Sequence, residues 1–150
     1  MNIKYNTLYT HFIFTTHHRL PLITEENRER VENYISGIVN HQNCKMCAIY
    51  ANPEHVHFLV SRSPDKDEER LADIIATSTI EFFNESNMCT VNFQWQNTCT
   101  AISVSQKDVP KVHDYILGQK RYHHRFTYEK ENEKFIRLNQ QDKYPIKIRE

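Results

Sequence analysis

The sequence predicts an α+β fold of the ferredoxin-like or RNA-recognition type: a split β-α-β arrangement with a four-stranded antiparallel sheet, two backing helices and extra C-terminal helices. Three observations predict it. Strand-like and helix-like apolar patterns follow one another in the order β-α-β-β-α-β. The two middle strands are separated only by Ala51-Asn52-Pro53-Glu54, a hairpin-length connection with a turn-forming Asn-Pro. With Gly 2 and Pro 5 in 150 residues there is no linker-like stretch, so residues 1–150 read as a single domain.

Each element has its own signal. Leu8 to Thr15 is rich in β-formers (Tyr9, Phe12, Ile13, Phe14) and reads as the first strand. His17-His18-Arg19-Leu20-Pro21 is an exposed connection. Thr24 is suited to cap a helix, with Glu25 and Glu26 placed well against the helix dipole. Val31, Tyr34, Ile35, Ile38 and Val39 then recur at helical spacing to about Asn40. Strands are expected at Lys45 to Tyr50 and His55 to Ser61. A second helix carries Leu71, Ile74, Ile75, Ser78 and Phe82 as its apolar stripe. A fourth strand runs from about Thr98 to Val104. Asp108 is expected to cap a third helix, with Pro110 tolerated in the first turn and Val109, Val112 and Ile116 on one face. A short helix over Tyr128 to Leu138 and an extended tail complete the chain.

Composition narrows the function classes. Hydrophobic residues at 39% and charged residues at 25% suit a soluble globular protein. No run approaches the roughly 18 apolar residues of a membrane span, and the first twenty residues lack a signal-peptide pattern, so a cytoplasmic protein without a membrane partner is expected. Lys+Arg 19 and Asp+Glu 19 cancel, which leaves no bulk nucleic-acid signature. Locally, Lys107, Lys111, Lys120, Arg121 and Arg125, with His113, His123 and His124, face only Asp108 and Asp114. Cys44-Lys45-Met46-Cys47 has C-x-x-C spacing, but Cys89 and Cys99 make no second half-site, and buried apolar thiols are the expected reading. Trp95 is expected in the core.

Two segments carry chemistry. In His55-Val56-His57-Phe58-Leu59-Val60, strand alternation projects both imidazoles from one face, where they are either a ligand pair for a divalent ion or two histidines of a half-exposed strand. In Tyr115-Ile116-Leu117-Gly118-Gln119, helical spacing puts a phenol and an amide a turn apart, an arrangement that usually just borders a packed stripe.

In order and spacing, Asn52-Pro53-Glu54-His55-Val56-His57-Phe58-Leu59-Val60, Trp95-Gln96, Ser103-Val104-Ser105 and Tyr115-Ile116 with Gln119 resemble a known pattern. It is that of the single-tyrosine HUH transposases of small bacterial insertion sequences and their relatives encoded beside palindromic repeats. Phe14-Thr15-Thr16 through Arg19-Leu20-Pro21 fits as well, so the resemblance runs from about Tyr9 to Phe135. It implies that His55, His57 and Gln119 hold Mg²⁺ or Mn²⁺ and that Tyr115 is the nucleophile. The implied reaction is cleavage and rejoining of single-stranded DNA through a 5′-phosphotyrosine link, with a free 3′-hydroxyl. It also implies hairpin-bearing single-stranded DNA as partner and a homodimer. Arg19, Lys120 and Arg121 are candidate DNA contacts.

The chain departs from that pattern at Thr98-Cys99-Thr100-Ala101-Ile102, where relatives carry a Gly-Tyr-Gly-Ala-Phe-type run. It also has Ile75-Ala76-Thr77 where a lysine is common. These changes bear on DNA affinity more than on chemistry. A histidine-triad hydrolase is excluded by Leu59 at the third position, and a two-histidine phosphoesterase by the lack of a second His-x-Thr or His-x-Ser segment. Two binding readings stay open: a host-captured relative that binds DNA with little or no cleavage, and an RNA-recognition-type module.

Overall fold

A computed structural model describes residues 1–125, 127, 129–131, 133 and 134. Contacts divide the chain into two compact units, Met1–Leu117 and Gly118–Glu150.

In the first unit, local chemistry sets each boundary. Strand β1 spans Tyr9–Thr15. Helix α1, Glu25–His41, starts where the Thr24 hydroxyl accepts a hydrogen bond from the Asn27 N–H at 3.2 Å. Just past its end stands Asn43, whose φ of 58° is the left-handed stop that asparagine tolerates. Strands β2 (Lys45–Ala51) and β3 (His55–Ser61) form the expected hairpin. Helix α2, Glu68–Glu85, is capped by the Asp67 carboxylate on the Arg70 N–H at 2.7 Å. Strand β4 is shorter than expected, Thr100–Val104, and helix α3 spans Val109–Leu117. No helix among the described residues is long and apolar enough to cross a membrane.

The four strands make one antiparallel sheet in the order β2-β3-β1-β4, the split β-α-β topology expected, with the histidine-bearing β3 in an interior position. Alternation then sorts each strand between two faces. Phe12, Phe14, Val56, Phe58 and Val60 join Val31, Ile35 and Val39 of α1 and Leu71 and Ile75 of α2 in the main core. On the opposite face Ala48, Leu59 and Val104 pack with Ile116 of α3. The register of β2 against β3 shifts between Met46 and Ala48, so Cys47 of the C-x-x-C pair lies in a bulge. Cys44 is buried in the main core, as expected of a small apolar thiol.

The apolar stripe of α2 differs from the expected one. Leu71, Ala72, Ile75, Thr79 and Phe83 are buried, whereas Ile74, Ser78 and Phe82 are only half-buried. A threonine can take the core position because both functions of its hydroxyl are satisfied. It donates to the Ile75 carbonyl at 2.8 Å and accepts from the Trp95 indole N–H at 2.7 Å. Phe82 instead stacks on Tyr34 of α1, with ring centroids 3.9 Å apart.

Trp95 is itself a core residue, 6% exposed and edge-on to Phe14 and Phe93. Trp95→Phe removes the indole donor and leaves a small void. The expected cost is about 1–3 kcal/mol in urea unfolding.

Two expectations near the C-terminal end are corrected. Asp108 closes a single 3₁₀ turn, Gln106–Asp108, where its carboxylate accepts from the Ser105 hydroxyl at 2.9 Å, and α3 begins after it. Tyr115 and Gln119 do not share one continuous helix. Helix α3 stops at Leu117, and helix α4, Gln119–Arg125, belongs to the second unit. Gly118 stands at the break, where glycine is a weak helix former. Of the helix expected at Tyr128 to Leu138, residues 129–131, 133 and 134 are described and are helical; the rest, and the expected tail, lie outside the described residues.

Candidate active site

Three histidines are buried on the α3 side of the sheet. His55 and His57 sit two residues apart in β3 and share that face, both fully buried. In β1 the pairing Ile13↔His57 and His11↔Leu59 places His11 on the same face, diagonally adjacent to His57. Burying imidazole is costly unless its nitrogens find partners, and here they do. His57 Nδ1 lies 2.9 Å from His11 Nε2, and His55 Nδ1 lies 2.9 Å from a Glu54 carboxylate oxygen. His55 Nε2 is 3.2 Å from the side-chain amide nitrogen of Asn52.

Tyr115 arrives from α3. Its neighbour Ile116 is fully buried against Leu59, Ala48 and Val104, which anchors the helix over β2 and β3. The half-buried Tyr115 ring then lies nearly perpendicular to the His57 ring, with centroids 5.6 Å apart, and 6.3 Å from His11. Of the residues singled out in the sequence, His55, His57 and Tyr115 are thus brought together within one unit. His11 was missed. Its signal was present in the β-pattern of residues 8–15, but only the pairing register shows that it faces His57.

The turn that carries Glu54 is tied to the loop after β1. The Glu54 carbonyl accepts from the Thr16 N–H at 2.9 Å, and the Pro53 carbonyl accepts from the Ile23 N–H at 3.0 Å. Within that loop His18 and Arg19 have φ of 56° and 54°, two successive left-handed residues that are not glycine. Such strain costs on the order of 1–3 kcal/mol per residue and concentrates at functional sites. The Arg19 N–H donates to the Thr16 carbonyl at 3.0 Å, which holds the turn, while His17, His18 and Arg19 are exposed.

In the second unit, Lys120 and Arg121 are exposed on α4, and Gln119 Oε1 lies 2.9 Å from His123 Nε2. His123 Nε2 is also 3.3 Å from the buried Glu131 carboxylate, so Gln119, His123 and Glu131 form a polar chain. His123 is half-buried.

The run from Thr98 that departs from the family pattern borders a cavity on the α2 side of the sheet, lined by Glu68, Glu69, Asp73, Thr98, Cys99 and Ala101 among others. Desolvation, reinforced by the charges of Asp73 and Glu69, raises the Cys99 thiol above its ordinary range. Three carboxylates disfavour a phosphate backbone there. The histidines occupy the other face.

The sequence matches the family model described as "Transposase IS200 like" over residues 4–119. The chain belongs to that family, which makes it a tyrosine transposase, an enzyme of DNA transposition. No curated protein matches it significantly. Among solved structures it is similar to a transposase-like protein from Deinococcus radiodurans R1, at 17% identity and TM-score 0.55, covering 79% of this chain and 96% of that one. It is also similar to a REP-associated tyrosine transposase bound to a REP hairpin, at 18% identity and TM-score 0.59, covering 82% of this chain and 72% of that one. At these identities the two structures support the fold.

Proposed function

We propose that this transposase cuts and rejoins single-stranded DNA through a covalent link to Tyr115, with His55, His57 and Gln119 as protein donors to Mg²⁺ or Mn²⁺. The observation that carries the reading is Tyr115 beside the paired histidines, its ring 5.6 Å from that of His57. The donor set suits such an ion. Each imidazole has Nδ1 engaged, by Glu54 or by His11, which turns Nε2 to an ion; at His55 the ion would take the place of the Asn52 amide on the Nε2 lone pair. Gln119 enters from its place in the family motif. An ion bound there acts as a Lewis acid that draws charge from the scissile phosphate.

The chain's own residues do the rest. The Tyr115 oxygen attacks phosphorus in line, its proton passing to a base; the Tyr–O–P bond forms as the P–O3′ bond breaks, and the leaving oxygen takes up a proton as a 3′-hydroxyl. Reversal with a 3′-hydroxyl as nucleophile rejoins DNA with no external energy source, since the phosphotyrosine bond replaces the phosphodiester. Burial of His55 and His57 keeps bulk water from the donors and strengthens local electrostatics.

Exposed Arg19, Lys120 and Arg121 serve as phosphate contacts. The hairpin held by the REP-associated relative supports a hairpin-bearing single strand as substrate. A homodimer is the proposed assembly, since both edge strands of the sheet, β2 and β4, offer pairing surfaces. The cytoplasm is the proposed location. The alternative is a captured relative that binds DNA without cutting it. An RNA-recognition-type module fits less well, because buried histidines take the sheet positions where stacking aromatics would be needed.

The test uses labelled single-stranded hairpin DNA, including the DNA flanking the gene, with Mn²⁺ or Mg²⁺. A denaturation-resistant protein–DNA adduct is expected, lost on chelation and restored by adding metal back. His57→Ala is expected to lower adduct formation by roughly 10²–10³-fold. Tight binding with no adduct at any metal concentration would favour the captured binder.

A further inference from the structure

We infer that His11 is a positioning residue for the metal site: it accepts a hydrogen bond from His57 Nδ1–H and so commits His57 to presenting Nε2 as the donor atom. This rests on the metal reading of His55 and His57. The two imidazoles are both buried, His11 at 3% exposure and His57 at 0%, and their facing nitrogens are 2.9 Å apart. One proton must lie between them, so one ring donates and the other accepts. If His11 donated, neutral His57 would carry its proton on Nε2 and have no lone pair left for an ion. If His57 donates, its Nε2 carries a lone pair in place of a proton, and His11 accepts at its own Nε2. Only the second arrangement is compatible with ligation.

The same logic operates at the other ligand with a different partner. His55 Nδ1 faces the Glu54 carboxylate at 2.9 Å, a partner type that orients metal-binding histidines. Glu54 adjoins His55 in sequence, whereas His11 comes from another strand, 46 residues away. An imidazole in this role adds no negative charge to the site. It also ties the ligand strand β3 to β1 through a side-chain bond in addition to the backbone ladder.

The test is made on the full chain with Mn²⁺ alone, following the signal of the free ion by electron paramagnetic resonance. Wild-type protein is expected to bind, and His57→Ala to lose the site. His11→Ala is expected to weaken Mn²⁺ roughly 10–100-fold. His11→Gln, whose amide oxygen can accept from Nδ1–H, is expected to recover most of that loss. Thermal unfolding of each variant reports the fold separately. A purely structural role would lower the melting temperature while leaving the affinity of folded protein unchanged. Long-range ¹⁵N–¹H correlation of metal-free protein is expected to show His57 in its Nδ1–H tautomer, shifting toward Nε2–H in His11→Ala. Wild-type Mn²⁺ affinity in His11→Ala, or an Nε2–H tautomer at His57 in the wild type, would overturn the assignment alone. A wild-type protein that binds no Mn²⁺ would overturn the metal reading and the assignment with it.

Discussion

Tyr115→Phe is expected to abolish the protein–DNA adduct, a fall on the order of 10⁴-fold or more, because no other group at that position can form the phosphate ester. The substitution changes little else. Phenylalanine keeps the ring that stands edge-on to His57, and Ile116 still anchors α3 in its apolar cluster. Stability should therefore stay within about 1 kcal/mol of wild type, and Mn²⁺ binding should persist. The measurement is a denaturing gel of labelled single-stranded DNA, run alongside a metal titration of the same preparation. An adduct that survives would move the nucleophile elsewhere. Tyr50 is then the next residue to test, since it stands opposite His57 in β2 and shares its face. It is the weaker choice: burial pushes its hydroxyl above the ordinary value, and the Arg28 guanidinium over its ring offsets this only in part. A phenol held protonated is a poor nucleophile.

Phe58→Ala is expected to destabilise the fold by about 3–5 kcal/mol, a large share of the 5–15 kcal/mol typical of a domain. Phe58 is fully buried, stacked on Phe12 at 5.2 Å and edge-on to Phe14 at 5.1 Å. Truncation removes both ring contacts and leaves a cavity that rigid neighbours on β1 cannot fill. The melting temperature should fall by roughly 10–20 °C, and the urea midpoint should drop with little change in slope. Phe58 follows His57 in the strand and points to the opposite face, so this variant tests how far the site depends on the core beneath it. At low temperature, where the variant remains folded, Mn²⁺ affinity is expected to stay near wild type. A loss below about 1 kcal/mol would mean that the core closes around the missing ring, contrary to its packing.

Much of the architecture was legible because local rules and the fold agree. Thr24 caps α1 as its residue type suggests, and Ala51-Asn52-Pro53-Glu54 turns the hairpin between β2 and β3. The mispredicted stripe of α2 shows where local reading fails. Hydrophobicity alone favours Phe82 and cannot anticipate that Thr79 is made buriable by a proton from Trp95, 16 residues away. The third helix failed in another way: periodicity ran on through Gly118, whereas the observed helix stops at Leu117.

The order of elements, the shared face of His55 and His57, and the family could be read from the chain alone, because strand alternation and motif spacing act over a few residues. Burial of the two histidines, the seating of Tyr115 against His57, and the approach of His11 to within 2.9 Å of His57 Nδ1 emerge only in the folded chain. Those facts depend on the register between β1 and β3 and on the seating of α3. Both are set by packing between segments far apart in the chain, which no local pattern encodes.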